Sequence, residues 1–510
     1  MENRYDAVVI GAGLGGLTAA AELARRKLRI LVIEQHSRPG GAATAFRRGK
    51  FMYEAGLHMT ATRGRDPELR ELFRESGISD KLHFVPAPEF YCIHGHDFSF
   101  VFGNDIPDTI RRLKIQFPEE SDAIDTYFHK IFSMSDTALQ INQSRGLRHI
   151  FQMLAAPVLY RDTLKAMFAN VGDFLDRTFR NERLKILLLA NIGYYGDDPY
   201  QLSLLFFAIA QTGYYRQGGH YIRGGSHQLA DTLADYITRK GGKIMTGVQV
   251  SKILVKDNKA SGVEFYEKNR GKKQTKQIDV PYIIANAAIP HVLNELLEEN
   301  TARRERKKIA KLEIAPSIMS VYIETDKPLS ELGNAFYSTC FYDSRPFDLH
   351  GMADLHRTDY DQRPFILCDY SQIDAALAPE GKGYAVLSLF DYYADWAGLS
   401  PEAYRSKKAA AVTTQMERLY RKLPQMRGHV LRTEAATART MERYLQTPQG
   451  SAYGFSQKPR QALLFRPGAR STVKNLYYAS AWTLPGGGFG GAISGGKICA
   501  DTILKDLGIR

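Results

Sequence analysis

No stretch of this sequence stays apolar long enough to cross a membrane. A spanning helix takes about 20 apolar residues in a row, and the longest runs, around Ile186–Ala190 and Leu202–Ala210, are far shorter. Cysteine is scarce too. Cys92, Cys340, Cys368 and Cys499 are scattered, with no two at metal-ligand spacing, so no metal site is expected and the thiols read as buried and reduced. The opening Met1-Glu-Asn-Arg-Tyr-Asp has no secretory pattern, and the whole suits a reducing, cytoplasmic setting. Internal repeats and low-complexity segments are absent. Hydrophobic residues make up 44% and charged residues 24%, an ordinary globular balance that excludes disorder over most of the length. A chain of 510 residues exceeds one compact core, so two domains are expected, not necessarily sequential.

Lys plus Arg number 68 against 55 for Asp plus Glu, a net charge of +13. Such an excess suits nucleic acid, anionic lipid or an acidic substrate. No nucleic-acid motif is present, which leaves lipid headgroups as the expected partner and plain solubility as the competing explanation.

The informative part is the beginning. Residues 5–10, Tyr-Asp-Ala-Val-Val-Ile, read as a short buried parallel strand. Gly11-Ala12-Gly13-Leu14-Gly15-Gly16 follows at once, then a small-residue helix over Leu17–Arg26, then a strand Arg29–Ile33 that ends in Glu34. Each part has a physical task in binding a dinucleotide. Gly11 permits the tight turn, Gly13 lets backbone approach a pyrophosphate, and Gly16 allows close helix–strand packing. The helix N-terminus offers free N–H groups to phosphate. Glu34 stands at the distance that accepts hydrogen bonds from an adenosine ribose with free hydroxyls. Glycines alone say little; strand, glycines, helix, strand and acid in this order say much more.

Two further regions narrow the cofactor. Arg38-Pro39-Gly40-Gly41-Ala42-Ala43 and Phe51-Met-Tyr-Glu54-Ala-Gly56-Leu57-His58 follow Glu34 closely. At the other end, a strand Asn475–Ser480 leads through Ala481-Trp482-Thr-Leu-Pro485 into Gly486-Gly-Gly-Phe-Gly490-Gly491-Ala492-Ile-Ser-Gly495, with a helix from about Ala492 to Leu507. With Gly224-Gly225 and Gly450-Ser-Ala-Tyr-Gly-Phe455, this pattern resembles the carotenoid and retinoid oxidoreductases: phytoene desaturases, carotenoid isomerases and retinol saturases.

The resemblance covers nearly the full length. It implies FAD, a long apolar polyene or isoprenoid substrate and peripheral membrane association. It implies that the Gly40-Gly41 turn runs beside the extended cofactor and that Glu54–His58 lies near the flavin. Val250 and the Ala285-Asn286 turn would lie against the adenine end. The last helix would aim its N-terminus at the flavin pyrimidine edge and stabilise the anionic reduced ring. The expected cofactor contacts are Gly11, Ala12, Gly13, Leu14, Gly15, Gly16, Glu34, Gln35, Gly40, Gly41, Ala42, Leu57, His58, Val250, Asn286, Gly490, Gly491 and Ala492. Ser480 and Ala481 stand where many relatives carry a glycine and an acid, so no acidic contact is expected from there.

The expected fold class is α/β: a Rossmann-type, glutathione-reductase-like FAD-binding domain, discontinuous over 1–85, 217–290 and 456–510, with an inserted α+β substrate domain over 86–216 and 291–455. Within it, helices are expected over Thr301–Leu312 and Pro401–Lys422, and strands over Ser317–Glu324 and Gly383–Phe390. The stretch 145–185 interleaves Arg145, Arg148, Arg161, Lys165, Arg177, Arg180, Arg183 and Lys185 with Phe151, Met153, Leu154, Leu159, Met167, Phe168 and Phe174, which is the mix of a membrane-interface helix and also of a helix pair with a basic outer side.

Glu54 and His58 are the candidate polar groups for catalysis, and Trp482 is a candidate wall. A holding role for Glu54 and His58 is the simpler reading, since flavin hydride chemistry needs no acid–base residue. Phe206, Phe207, Tyr214, Tyr215 and Tyr453 are candidates for an apolar tunnel. No second strand–glycine–helix unit is present, so no NAD(P)H domain is expected. The scaffold suits desaturation, saturation or isomerisation of carbon–carbon bonds alike. The alternatives are an amine- or porphyrinogen-oxidase-type flavoenzyme and a non-catalytic FAD- or lipid-binding protein.

Overall fold

The computed structural model describes residues 5–61, 67–143, 160–268, 274–345 and 347–509. Ala7–Ile10 is the central strand of a five-stranded parallel sheet. Ile30–Ile33 and then Lys243–Met245 lie on one side of it, Tyr282–Ala285 and then Leu476–Tyr478 on the other. The strands Ala-Val-Val-Ile and Ile-Leu-Val-Ile are apolar without alternation because both faces are covered. Ala7, Val9, Ile30 and Val32 face the core shared with the helices Leu14–Arg25 and His227–Arg239. Val8, Ile10, Leu31 and Ile33 face a second core, built on the antiparallel meander Val248–Lys256, Lys259–Glu267 and Lys276–Asp279.

The second large sheet has seven strands in the order Val430–Ala436, Ser317–Thr325, Gly383–Asp391, Phe365–Asp369, Ser338–Tyr342, Tyr91–Gly95, Ser99–Phe102. Only the Ser338–Tyr342 and Tyr91–Gly95 pair runs parallel. The helix Pro401–Lys422 contributes Met416 and Leu419 to a core with Val321, Ile323, Leu387 and Leu389 on one face. Successive side chains alternate, so Tyr322, Tyr384, Val386 and Ser388 point the other way, toward the parallel-sheet half. The helices Ser121–Gln143 and Leu204–Gln217 complete that side.

Several elements depart from expectation. The C-terminal helix begins at Gly488 rather than near Ala492. The helix expected over Thr301–Leu312 is confined to Arg303–Ile309, because Ala302 before it takes a left-handed φ of +56°. Strands Ser338–Tyr342, Phe365–Asp369 and Val430–Ala436 had no periodicity that announced them.

Of the basic stretch, Arg145, Arg148, Phe151, Met153, Leu154 and Leu159 lie outside the described residues. The rest forms short helices, Arg161–Ala166, Val171–Thr178 and Glu182–Leu188. Part of its charge is spent internally: Lys185 is buried and donates to Asp176 at 2.8 Å and Glu182 at 2.6 Å. No helix among the described residues is long and apolar enough to cross a membrane.

Candidate functional site

The glycine turn is built by close approach. Gly11 takes φ +91°, and a Cβ on Gly15 would stand 2.0 Å from the Ala479 carbonyl oxygen. Asn286 seals the turn: its N–H donates to Ile10 O at 2.8 Å and its side-chain amide to Gly11 O at 3.2 Å. Gly40 N donates to Ala12 O at 2.8 Å, which brings the second glycine pair against the first. The helix Leu14–Arg25 starts at Gly13 with no side-chain cap, so its first-turn amides are open to a ligand. Glu34 is buried at the end of its strand. Its two carboxylate oxygens accept from Ala12 N at 2.7 Å and His36 N at 2.8 Å, and each keeps a lone pair for a ribose hydroxyl.

Segment 54–59 is fixed from both sides. The Glu54 carboxylate accepts from Ser226 Oγ at 2.6 Å, Ser226 N at 2.8 Å and Tyr221 Oη at 3.1 Å, and more loosely from the amides of Leu57 and Gly56 at 3.3 and 3.4 Å. Burial pushes its carboxyl up, and the Ser226 hydroxyl and amides pull it back. Three tyrosine hydroxyls then donate to the carbonyls that follow: Tyr370 to Leu57 at 2.8 Å, Tyr337 to His58, and Tyr214 to Met59 at 3.2 Å. Glu54 is thus the bracket beneath this turn, not a group that faces open space.

Gly56, Leu57, His58 and Met59 line a cavity of about 1980 Å³, and so do Leu484, Pro485 and Gly487–Gly491 at the start of the C-terminal helix. Segment 56–59 and the C-terminal glycine turn therefore open into one space. Most of its wall is apolar, with Phe206, Ile209, Phe365, Ile366 and Phe390 among the lining residues. His58 Nε2 lies 3.2 Å from Ser388 Oγ, and burial lowers the imidazole to about 4. Asp501 is the one carboxylate among the described lining residues, and it is paired with Lys497 at 2.5 Å.

Trp482 is not among the lining residues. It packs edge-on against Phe455, with centroids 4.8 Å apart, inside the core beneath the parallel sheet. Of the aromatic candidates, Phe206, Tyr214 and Tyr453 line the cavity while Phe207 and Tyr215 are core. Of the expected cofactor contacts, Val250 is buried in the meander core, Gln35 accepts from Lys268 Nζ at 3.4 Å, Ala42 is exposed and Ala492 half-buried.

Sequence reasoning missed Arg466, His356, Tyr342 and Ser388. Arg466 is buried and donates to the carbonyls of Phe455 at 2.8 Å and of Tyr453, Ala481 and Thr483, each at 3.1 Å. It ties the loop before the C-terminal strand to the turn after it. A polar residue in an otherwise apolar strand was the available signal for Ser388; an isolated Arg or Tyr carries none.

The flavin-containing amine oxidoreductase family matches residues 14–504. The chain belongs to that family. It is 26% identical over 515 residues to prolycopene isomerase 1 of an Oncidium hybrid cultivar, covering 99% of this chain and 85% of the relative. It is 24% identical over 548 residues to all-trans-retinol 13,14-reductase of Danio rerio, covering 98% and 86%. It is 26% identical over 525 residues to a neurosporene-forming phytoene desaturase of Rhodobacter capsulatus, covering 98% and 94%. An oxidoreductase structure from Methanosarcina mazei superposes with a TM-score of 0.64 at 18% identity, over 98% of this chain and 99% of that one. This family member is a flavin enzyme, and its residues fit FAD: an uncapped helix start, a buried acid with spare lone pairs, and a C-terminal glycine turn that shares a cavity with Gly56–Met59.

Proposed function

We propose that the chain exchanges hydride between FAD and a carbon–carbon bond of a long apolar isoprenoid or polyene, in a desaturation, a saturation or a cis–trans isomerisation. The observation that carries this reading is the largely apolar cavity of about 1980 Å³ lined by Gly56–Met59 and by the C-terminal turn Gly487–Gly491. Bound FAD supplies a hydride acceptor or donor at N5. The chain supplies the rest. Glu34 takes the ribose, the amides of Leu14, Gly15 and Gly16 take the pyrophosphate, and Gly40 and Gly41 give it room. Gly56–His58 and Gly488–Gly491 flank the ring, and the helix start lends positive potential to it. The cavity walls keep water from the reacting carbon. Neutral His58 positions Ser388 and contributes no charge.

An amine as substrate is less well served. A buried ammonium wants a carboxylate partner, and the one carboxylate among the described lining residues, Asp501, already holds Lys497. The test is anaerobic incubation of the FAD-loaded enzyme with phytoene, prolycopene and retinol, from oxidised and reduced flavin. Changes in the flavin bands with matching polyene products support the reading. A flavin that ignores polyenes and bleaches with amines ends it.

An apolar substrate must leave a bilayer. Leu464, 75% exposed, lines the cavity, and Phe168, 60% exposed, packs at a tilt against Phe465 with ring centroids 5.7 Å apart. With the net charge of +13, these residues support peripheral docking on anionic membrane. Co-sedimentation with anionic vesicles, lost in Leu464→Asp, is the expected result; equal binding by that variant counts against docking through Leu464.

A further inference from the structure

Where the cavity meets the seven-stranded sheet, its wall is not apolar. His356 and Tyr342 both line it there, and both are buried, at 2% and 4% exposure. Tyr342 ends the strand Ser338–Tyr342, and His356 sits in the helix Met352–Arg357. Hydrogen bonding fixes the state of each. His356 Nδ1 lies 2.8 Å from the backbone carbonyl of Asp197. A carbonyl only accepts, so Nδ1 carries the proton and Nε2 is left as an acceptor. The Tyr342 hydroxyl, 3.3 Å from Nε2, therefore donates to it. With its single proton spent, the Tyr342 oxygen presents only lone pairs to the cavity.

The charged groups behind this pair are already engaged. The Asp197 carboxylate accepts from Arg357 at 2.6 Å and from Tyr392 at 2.8 Å. Arg363 donates to Asp395 at 2.7 Å. Phe390 packs edge-on against the imidazole at 4.9 Å and Phe347 stacks on Tyr342 at 5.9 Å. The result is a dry, uncharged corner with acceptor character.

We propose that Tyr342 and His356 form a head-group site that receives a terminal hydroxyl on the apolar substrate, so that this enzyme selects an isoprenoid alcohol over the parent hydrocarbon and over the acid. The inference rests on the function proposed above and names the substrate class within it. A hydroxyl donates to Tyr342 Oη and needs no counter-charge. A hydrocarbon end leaves that oxygen without a donor away from water, which costs binding. A carboxylate would set its charge against lone pairs. Burial holds His356 near about 4, so no imidazolium is there to receive it at neutral pH. An ammonium would find no free carboxylate.

The experiment uses the FAD-loaded enzyme and three probes that differ only at one end: retinol, the hydrocarbon that lacks its oxygen, and retinoic acid. Each is titrated while the flavin bands are followed. Retinol is expected to bind at least about fivefold more tightly than either of the others, the scale of one buried hydrogen bond. Tyr342→Phe should shrink that advantage to less than about twofold, with the alcohol binding more weakly and the hydrocarbon no longer penalised by an unmet oxygen. The wild-type series stands without the variant, whose melting temperature and flavin spectrum report whether it folds. Equal binding of hydrocarbon and alcohol, or tighter binding of the acid, overturns the head-group site and leaves the polyene function intact. Silence from all three probes overturns the head-group site, and the polyene function falls with it only if phytoene and prolycopene are ignored as well.

Discussion

Ser226 gives both its hydroxyl and its backbone N–H to the buried carboxylate of Glu54, at 2.6 and 2.8 Å. The two residues stand 172 positions apart in the chain, so this contact locks the turn after Gly224-Gly225 onto the segment that leads into His58. Replacing Glu54 by Ala strands buried donors of Ser226 and Tyr221 together with two backbone amides. The expected loss is about 3 kcal/mol of unfolding free energy or more, accompanied by weaker FAD retention because Gly56–His58 loses its bracket. Glu54→Gln keeps most acceptors and should retain the cofactor. Urea denaturation and flavin stoichiometry after gel filtration check this. A Glu54→Gln enzyme that holds FAD and folds well but has lost all turnover would instead make Glu54 a proton carrier.

The glycines of the first turn should not be equivalent. A Cβ on Gly13 meets the Asn286 side-chain amide at 2.7 Å, a group that can swing aside; a Cβ on Gly15 meets the Ala479 carbonyl at 2.0 Å, which cannot. Gly13→Ala is expected to fold and to lose FAD affinity, since the methyl intrudes where the backbone receives the pyrophosphate. Gly15→Ala should cost about 1–3 kcal/mol of stability outright, as overpacking does. Thermal melts of the two apo-proteins, beside FAD titrations, separate the effects. Equal melting temperatures would show that the Ala479 strand end yields.

This contrast also explains what the sequence could tell. The nucleotide turn is legible because its constraints are local: each glycine answers to backbone within a few residues or to one neighbouring strand, and the order of strand, turn and helix is written along the chain. Glu34 follows from the same unit. The substrate side is not legible in that way. Ser388 and Ile366 become neighbours through strand register, which pairs them directly, and Tyr342 meets His356 only because a strand end and a short helix converge. Trp482 misled for the reverse reason. Beside a glycine-rich turn it reads as a wall, but its neighbours are Phe455 and Gly454 in the core below. The basic stretch likewise reads as a surface feature until Lys185 is seen inside its ion pairs.

Acid should destabilise the fold through its buried histidines. Burial holds His58 and His356 near about 4, below the unfolded value of about 6.5. Between those limits the unfolded chain takes up protons that the folded chain refuses. Stability is therefore full above about pH 6.5 and falls as the pH drops toward about 4, at up to about 1.4 kcal/mol per pH unit for each group. His94, His227 and His291 are shifted in the same direction. His58→Gln should thus flatten the slope only in part. Denaturation midpoints measured between about pH 7 and about pH 5 decide it, and an unchanged slope in His58→Gln would mean that His58 is protonated in the folded protein.

Arg466 offers the sharpest test of how the second glycine turn is held. Its guanidinium is buried without a carboxylate partner among the described residues and spends its donors on backbone carbonyls from two loops, Tyr453–Ser456 and Ala481–Thr483. Burial draws it down to about 9, which leaves it ionised at neutral pH, and those carbonyls take up its donors. A lysine is a point charge with no planar fork and cannot span both loops. Arg466→Lys should therefore fail almost as badly as Arg466→Met, each losing about 3 kcal/mol. Because Gly486 packs directly on the guanidinium, the loss should spread into the turn at Gly487–Gly491, and FAD should dissociate faster from both variants. Flavin release rates and melting curves of the pair read this out. If lysine restores both to the wild-type level, charge alone suffices there and the fork geometry is irrelevant to the turn.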